Sequence, residues 1–196
     1  MKRLFYLFFA LLCSCVLVCA LPVEGEEGIY RHVIRLHVLA ASDSEEDQAH
    51  KLAVRDAVLS EYGYLLSECT DMQEAIRLSE AVLEDMKDLA EATLRDRGCN
   101  STVKVTLTEE EYPTRDYGTF ALPAGKYTSL RILIGEAEGQ NWWCVLYPPL
   151  CLSTATDAGD TPVGLTQAEY GLMTENGKGN YTVKFRILEV LKSWFS

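Results

Sequence analysis

The chain has 196 residues, 48% of them hydrophobic and 24% charged, and a formal net charge of -11 at pH 7. That is enough apolar material for one ordinary domain with a packed core. So acidic a surface repels the phosphates of nucleic acids and of anionic lipids, which excludes both as natural partners of the folded part.

Residues 1–20 differ in kind from the rest. Lys2 and Arg3 precede an almost uninterrupted apolar run from Leu4 to Ala20 that has no acidic residue. The pattern is that of a signal peptide or N-terminal anchor, to be set aside in reasoning about the fold. Three outcomes stand open. Val18 and Ala20 offer the small residues of a cleavage site; about 17 apolar residues are near the lower limit for an uncleaved membrane span; and Leu12-Cys13-Ser14-Cys15 loosely resembles a lipoprotein processing site. A retained segment is the chain's one expected membrane contact. Export places Cys69, Cys99, Cys144 and Cys151 in an oxidising compartment, where disulfides persist.

Residues 21–28 are acidic and Gly-containing and read as a tether, with 29–196 expected as a single α+β domain. IYRHVIRLHVLA is rich in β-branched residues and predicts an internal first strand. In the ASDSEEDQ stretch, Ser42, Asp43 or Ser44 can cap a helix, and Glu45, Glu46 and Asp47 favour its positive end. The spacing of Ala49, Leu52, Ala53, Ala57, Leu59, Tyr62 and Leu66 predicts that helix. After a break at SECTD, residues 72–97 predict a second, with Ala75, Leu78, Val82, Met86 and Leu89 as its stripe and Gly98 and Asn100 at its end. So short a break predicts an antiparallel hairpin of the two.

TVKVTLT alternates as a strand with one wet face, TSLRILIG and NWWCVLY read as two more, and EAEGQ between them reads as a hairpin turn. Residues at about 153–180 are rich in Gly, Thr, Asp and Asn and read as a mobile loop with a helical turn over Leu165–Tyr170. YTVKFRILEVLKSWFS predicts a docked C-terminus. The fold class is therefore α+β: a mixed or antiparallel sheet of four to five strands with a two-helix hairpin on one face.

No constellation for chemistry stands out. His32 and His37 are five apart on the predicted strand, so their side chains leave by opposite faces and cannot share a metal ion. No GxSxG, P-loop, HExxH or dinucleotide fingerprint occurs, and no cofactor is expected. Cys144 or Cys151 beside His32 or His37 leaves an exported thiol- or His-dependent hydrolase as the alternative reading.

The stretch NWWCVLYPPLC carries the most information. Cys144 and Cys151 enclose six residues including Pro148 and Pro149, and a turn there favours a disulfide worth about 2–3 kcal/mol over two free thiols. Cys69 and Cys99 flank the second predicted helix, about 40 Å apart by its rise, and do not pair. Trp142 and Trp143 are neighbours on a strand, so one points into the core and the other away. The outward ring is either covered by another element or offered as an interface anchor. Trp142, Trp143, Tyr147, Pro148 and Pro149 are accordingly candidate partner-binding residues, with Asp43, Arg115 and Asp116 beside them.

Three segments, IRLHVLAASDSEEDQAHKLAVRDAV, YGTFALPAGKYTSLRILIGEAEGQNWWCVLYPPLC and VKFRILEVLKSWFS, give the chain a likeness that covers most of residues 29–196. It resembles the stage II sporulation protein R family of endospore-forming bacteria. The resemblance implies a protein made in the forespore and exported into the space between the two membranes. There it would bind the extracytoplasmic region of a membrane-embedded aspartic protease, stage II sporulation protein GA, and activate it to mature the mother-cell sigma-E precursor. It implies no enzymatic activity and supplies no catalytic residue to carry over. The stretch between Cys151 and the C-terminal block, often long and acidic in the family, is short and Gly/Thr-rich here.

Overall fold

The computed structural model describes residues 2–20, 26–150, 162 and 164–176. Helix α1, Lys2–Ala20, carries Phe5, Leu7, Phe8 and Phe9 with more than half of each ring or side chain exposed. Among the described residues no helix is long and apolar enough to cross a membrane.

Helix α2, Glu26–His32, stands where the sequence predicts the end of a tether and the start of a strand. Ile29 inside it and Val33 just past its end are four apart and both fully buried, a spacing that outweighs the β-propensity of the stretch. Strand β1, Ile34–Leu39, then enters the middle of a sheet, and Ile34 to Val38 are all buried, as a strand covered on both faces must be.

Ser44 caps helix α3, Glu45–Val58, its hydroxyl accepting from the Asp47 amide at 3.1 Å. A π-helical turn, Leu59–Gly63, and a short helix α4, Tyr64–Ser67, continue it. The buried face of α3 is His50, Lys51, Val54 and Val58, whereas Leu52, expected in the stripe, is 38% exposed. A π turn holds more residues than an α turn, so positions before and after it cannot keep one phase. The second predicted helix is two: α5, Met72–Ala81, capped by Asp71, and α6, Leu83–Arg95, parted at Val82. α6 is the one packed on α3, so the expected hairpin of two continuous helices is not what forms.

The remaining strands are β2, Val103–Tyr112; the two-residue β3, Arg115–Asp116, and β4, Ala121–Leu122; β5, Gly125–Ile134; and β6, Asn141–Tyr147. The main sheet runs β2-β5-β1-β6, with β5 parallel to β1 and the outer pairs antiparallel. β5 and β6 are therefore no hairpin, because β1 lies between them. Their connection crosses the end of β1, where the Gly139 amide donates to Ala40 O at 3.0 Å and Lys51 Nζ to Gln140 O at 2.9 Å. A Cβ on Gly139 would run into the Ser42 carbonyl, so the crossing needs glycine.

Ile34, Leu36, Val38, Leu130, Ile132 and Leu146 face the helices and pack with Val54, Met86 and Leu94 into one core. A second core on the other face joins Ile29, Val33, Tyr127 and Val145 to Leu165 and Met173. Helix α7, Gln167–Asn176, carries Met173 into that core, so this part of the expected mobile loop is an ordered helix. The C-terminal stretch over 181–196, expected to dock, lies outside the described residues.

Candidate functional site

Strand alternation builds a polar and aromatic cluster on the face turned away from α3, α5 and α6. With Leu36 and Val38 directed at the helices, Arg35 and His37 point the opposite way. Glu110 and Tyr112 arrive from β2, Ser129 and Arg131 from β5, and Asn141 and Trp143 from β6. The β3–β4 ribbon lies across them through Tyr117 and Arg115.

His37 has both ring nitrogens engaged: Nδ1 is 2.9 Å from Glu110 Oε2 and Nε2 is 2.8 Å from Asn141 Oδ1. The Tyr112 hydroxyl donates to Glu110 Oε2 at 2.8 Å and lies 2.6 Å from Ser129 Oγ, and Arg131 Nε stands 3.5 Å from Glu110 Oε1. Burial alone would raise the Glu110 pKa. Hydrogen bonds from His37 and Tyr112, with the positive charges of His37 and Arg131, more than offset that and hold the carboxyl below its usual range. Burial pushes the Tyr112 phenol up, and the adjacent carboxylate adds to the shift. Desolvation lowers the Arg115 pKa, and the like charge of Arg35 works in the same direction.

Arg35 is fully buried. Its Nη2 donates to the Tyr117 hydroxyl at 2.7 Å, and its guanidinium carbon lies 3.8 Å from the Tyr112 ring centre and 5.1 Å from that of Tyr127. Nε and Nη1 have no acceptor, and no carboxylate among the described residues pairs with the group. A buried charge without a counter-ion costs several kcal/mol, of which aromatic faces return about 2 kcal/mol each at best.

The cluster does not assemble a nucleophile. His37 offers no free ring nitrogen, and Cys144 pairs in register with Leu36 on the helix-covered face while His37 pairs with Trp143 on the other. That separation overturns a Cys144–His37 pairing. His32 Nδ1 is held by Glu169 Oε1 at 2.9 Å. Among the described residues no three His, Cys, Asp or Glu side chains converge as a metal site.

The candidate binding residues are dispersed. Trp143 is half-buried in the cluster under Arg115, whose guanidinium carbon is 3.8 Å from its ring centre, and Asp116 is exposed alongside, accepting from the Gly118 amide at 2.7 Å. Trp142 is on the opposite face with Arg55 4.8 Å over it. Each tryptophan is thus covered in part, one on each side of the sheet. Tyr147 is fully buried, its hydroxyl 3.4 Å from Cys69 O, and the cis peptide that follows leads into a buried Pro148 and a half-buried Pro149. Asp43 is exposed and accepts from the Gln140 amide at 2.7 Å, bracing the β5–β6 crossing. Cys144 is buried; Cys151 lies outside the described residues; Cys69 and Cys99 are free thiols. The structure therefore brings Trp143, Arg115 and Asp116 together and leaves Trp142, Tyr147 and Asp43 elsewhere. Sequence reading missed Arg35, Glu110, Tyr112, Ser129 and Asn141. Its one available signal was a charged residue inside the apolar internal strand.

An α+β protein with a four-stranded mixed sheet, helices α3 to α6 on one face and, on the other, a ribbon-covered polar cluster beside a second core is the class these features define. Residues 30–157 match the family model described as stage II sporulation protein R, and the chain belongs to that family. Over 118 residues it is 41% identical to stage II sporulation protein R of Bacillus subtilis (strain 168), an alignment covering 60% of this chain and 53% of that protein. The chain thus spans about half the length of this curated relative. No solved structure matches.

Proposed function

We propose that the protein is an exported sporulation signal that works by being bound, carrying no catalysis of its own. It crosses the forespore membrane by means of residues 1–20 and acts in the space between the two membranes. There it engages the extracytoplasmic region of a membrane-embedded aspartic protease, stage II sporulation protein GA, and triggers maturation of the mother-cell sigma-E precursor. Family membership over residues 30–157 is the observation that carries this reading. The apolar run after Lys2 and Arg3 supports export, and the Arg115–Trp143 pair at the rim of the ribbon supports a protein-binding face. To activate, the signal must bind the active form of the protease more tightly than the inactive form, since equal affinity shifts nothing.

The test is reconstitution. The purified chain is added to the protease in vesicles with its extracytoplasmic region outward, and precursor cleavage is followed. Cleavage that rises with added chain supports the reading; a protease equally active without it, or hydrolysis of the precursor by the chain alone, overturns it.

A further inference from the structure

The Arg35 guanidinium is the one buried cation of the cluster whose hydrogen-bonding capacity is left mostly unused. It is wholly shielded from solvent, two of its three nitrogens have no acceptor, and the carboxylate of the cluster, Glu110, is spent on His37, Tyr112 and Arg131. Arg115, on the ribbon above, is likewise in no ion pair among the described residues, and the Trp143 indole N–H is buried without an acceptor. Within a chain of net charge -11, this face concentrates unused donors and unneutralised positive charge.

A guanidinium binds carboxylate through either of two forks, Nε with Nη2 or Nη1 with Nη2, each giving two parallel N–H···O bonds. Nη2 is common to both, and it is the nitrogen that the Tyr117 hydroxyl holds. Nη2 directs one N–H into each fork, and the Tyr117 hydroxyl accepts one of the two, so a carboxylate completing that fork must displace it. The aromatic faces of Tyr112 and Tyr127 against the guanidinium suit a flat ligand better than a tetrahedral phosphate. The block sits on the turn of a ribbon whose strands are two residues each, and Tyr117 leaves with that ribbon if it lifts.

The geometry points to Arg35 as the receptor for a carboxylate carried by a partner polypeptide, with Tyr117 holding the guanidinium until that carboxylate displaces it. This rests on the reading of the protein as a bound signal and adds the chemistry of what is recognised: an acidic side chain or a chain terminus.

The test follows the Arg35 Nε–H resonance of the 15N-labelled full chain, assigned by its disappearance in Arg35→Lys. The probes are acetyl-triglutamyl amide, acetyl-triglycine with a free C-terminus, acetyl-triglutaminyl amide and inorganic phosphate. A saturable shift with one or both carboxylate probes and none with the glutamine peptide or phosphate is expected, and the two carboxylate arms tell side chain from terminus. Tyr117→Phe removes the competing acceptor and tightens that binding about fivefold, the worth of one net hydrogen bond. It also keeps the test decisive if Arg35→Lys does not fold. No shift with either carboxylate, an equal shift with the glutamine peptide or phosphate, or unchanged affinity in Tyr117→Phe overturns the inference. Binding of the protease's extracytoplasmic region is measured on the same samples. If that region binds and carboxylates do not, the carboxylate site falls while the signalling role stands; the converse result separates them the other way.

Discussion

Arg115 and Trp143 meet from different sheets: the guanidinium carbon on the β3–β4 ribbon lies 3.8 Å from the centre of the indole ring on β6. The pair is half-exposed at the edge of the cluster, where an aromatic anchor and an arginine are the residue types that dominate binding energy. Trp143→Ala is expected to weaken binding of the protease's extracytoplasmic region about thirtyfold, corresponding to about 2 kcal/mol. Trp142→Ala, on the opposite face, leaves it unchanged. Isothermal titration gives the affinities, and circular dichroism verifies that each variant is folded.

Acid should destabilise the protein through Glu110. Its folded-state pKa lies below the ordinary value of about 4.3, so it stabilises fully above that pH and loses the contribution as pH falls through the folded value. Melting temperatures between pH 7 and pH 3 should therefore fall more steeply for the wild type than for Glu110→Gln. Parallel curves would show that the carboxylate is not held by its neighbours.

The crossing of the β5–β6 connection over β1 makes Gly139 intolerant of a side chain. Gly139→Ala pushes a methyl group into the Ser42 carbonyl and is expected to cost roughly 2 kcal/mol, read from urea unfolding. Gly171→Ala, where an added Cβ meets nothing, is the control and should not lower stability by that route.

Ser44→Ala removes the acceptor for the Asp47 amide at the start of α3 and should cost about 1 kcal/mol in the same assay, while Ser44→Asp retains most of the cap.

The proposed Cys144–Cys151 bridge predicts a disulfide-linked peptide in a digest of non-reduced protein, with Cys69 and Cys99 alkylated only after unfolding in the case of the buried Cys69. Cys151→Ser should then lower stability by about 2–3 kcal/mol. Recovery of Cys144 as a free thiol from protein exported into an oxidising compartment would overturn the bridge.

Local signals in this chain are read reliably and neighbours are not. The alternation of Val103, Val105 and Leu107 names a strand and its buried face, TSLRILIG names a second strand, and the acidic turn marks a helix start among Ser42, Asp43 and Ser44, of which Ser44 is the cap. EAEGQ read as a hairpin because so short a connection equally serves two adjacent strands or two strands one place apart. What decides is the bonding of Gly139 to Ala40, about a hundred residues upstream. The split of the second helix at Val82 carries no glycine or proline to announce it. Of the site, the opposed tryptophans were legible from alternation alone. The Arg35 cluster was not, since Tyr112, Tyr117 and Tyr127 come from strands and turns that only the tertiary fold brings beside it.

The position of β1 has a bearing on how such a chain passes through a membrane pore. Among the described strands, the one nearest the N-terminus is flanked by the two made last, so no segment emerging before residue 147 can close this four-stranded sheet. On the proposed export, a chain threaded amino-end first would complete this sheet only once residue 147 is across. On that reading, strand order delays closure of the sheet and works against jamming of a narrow channel.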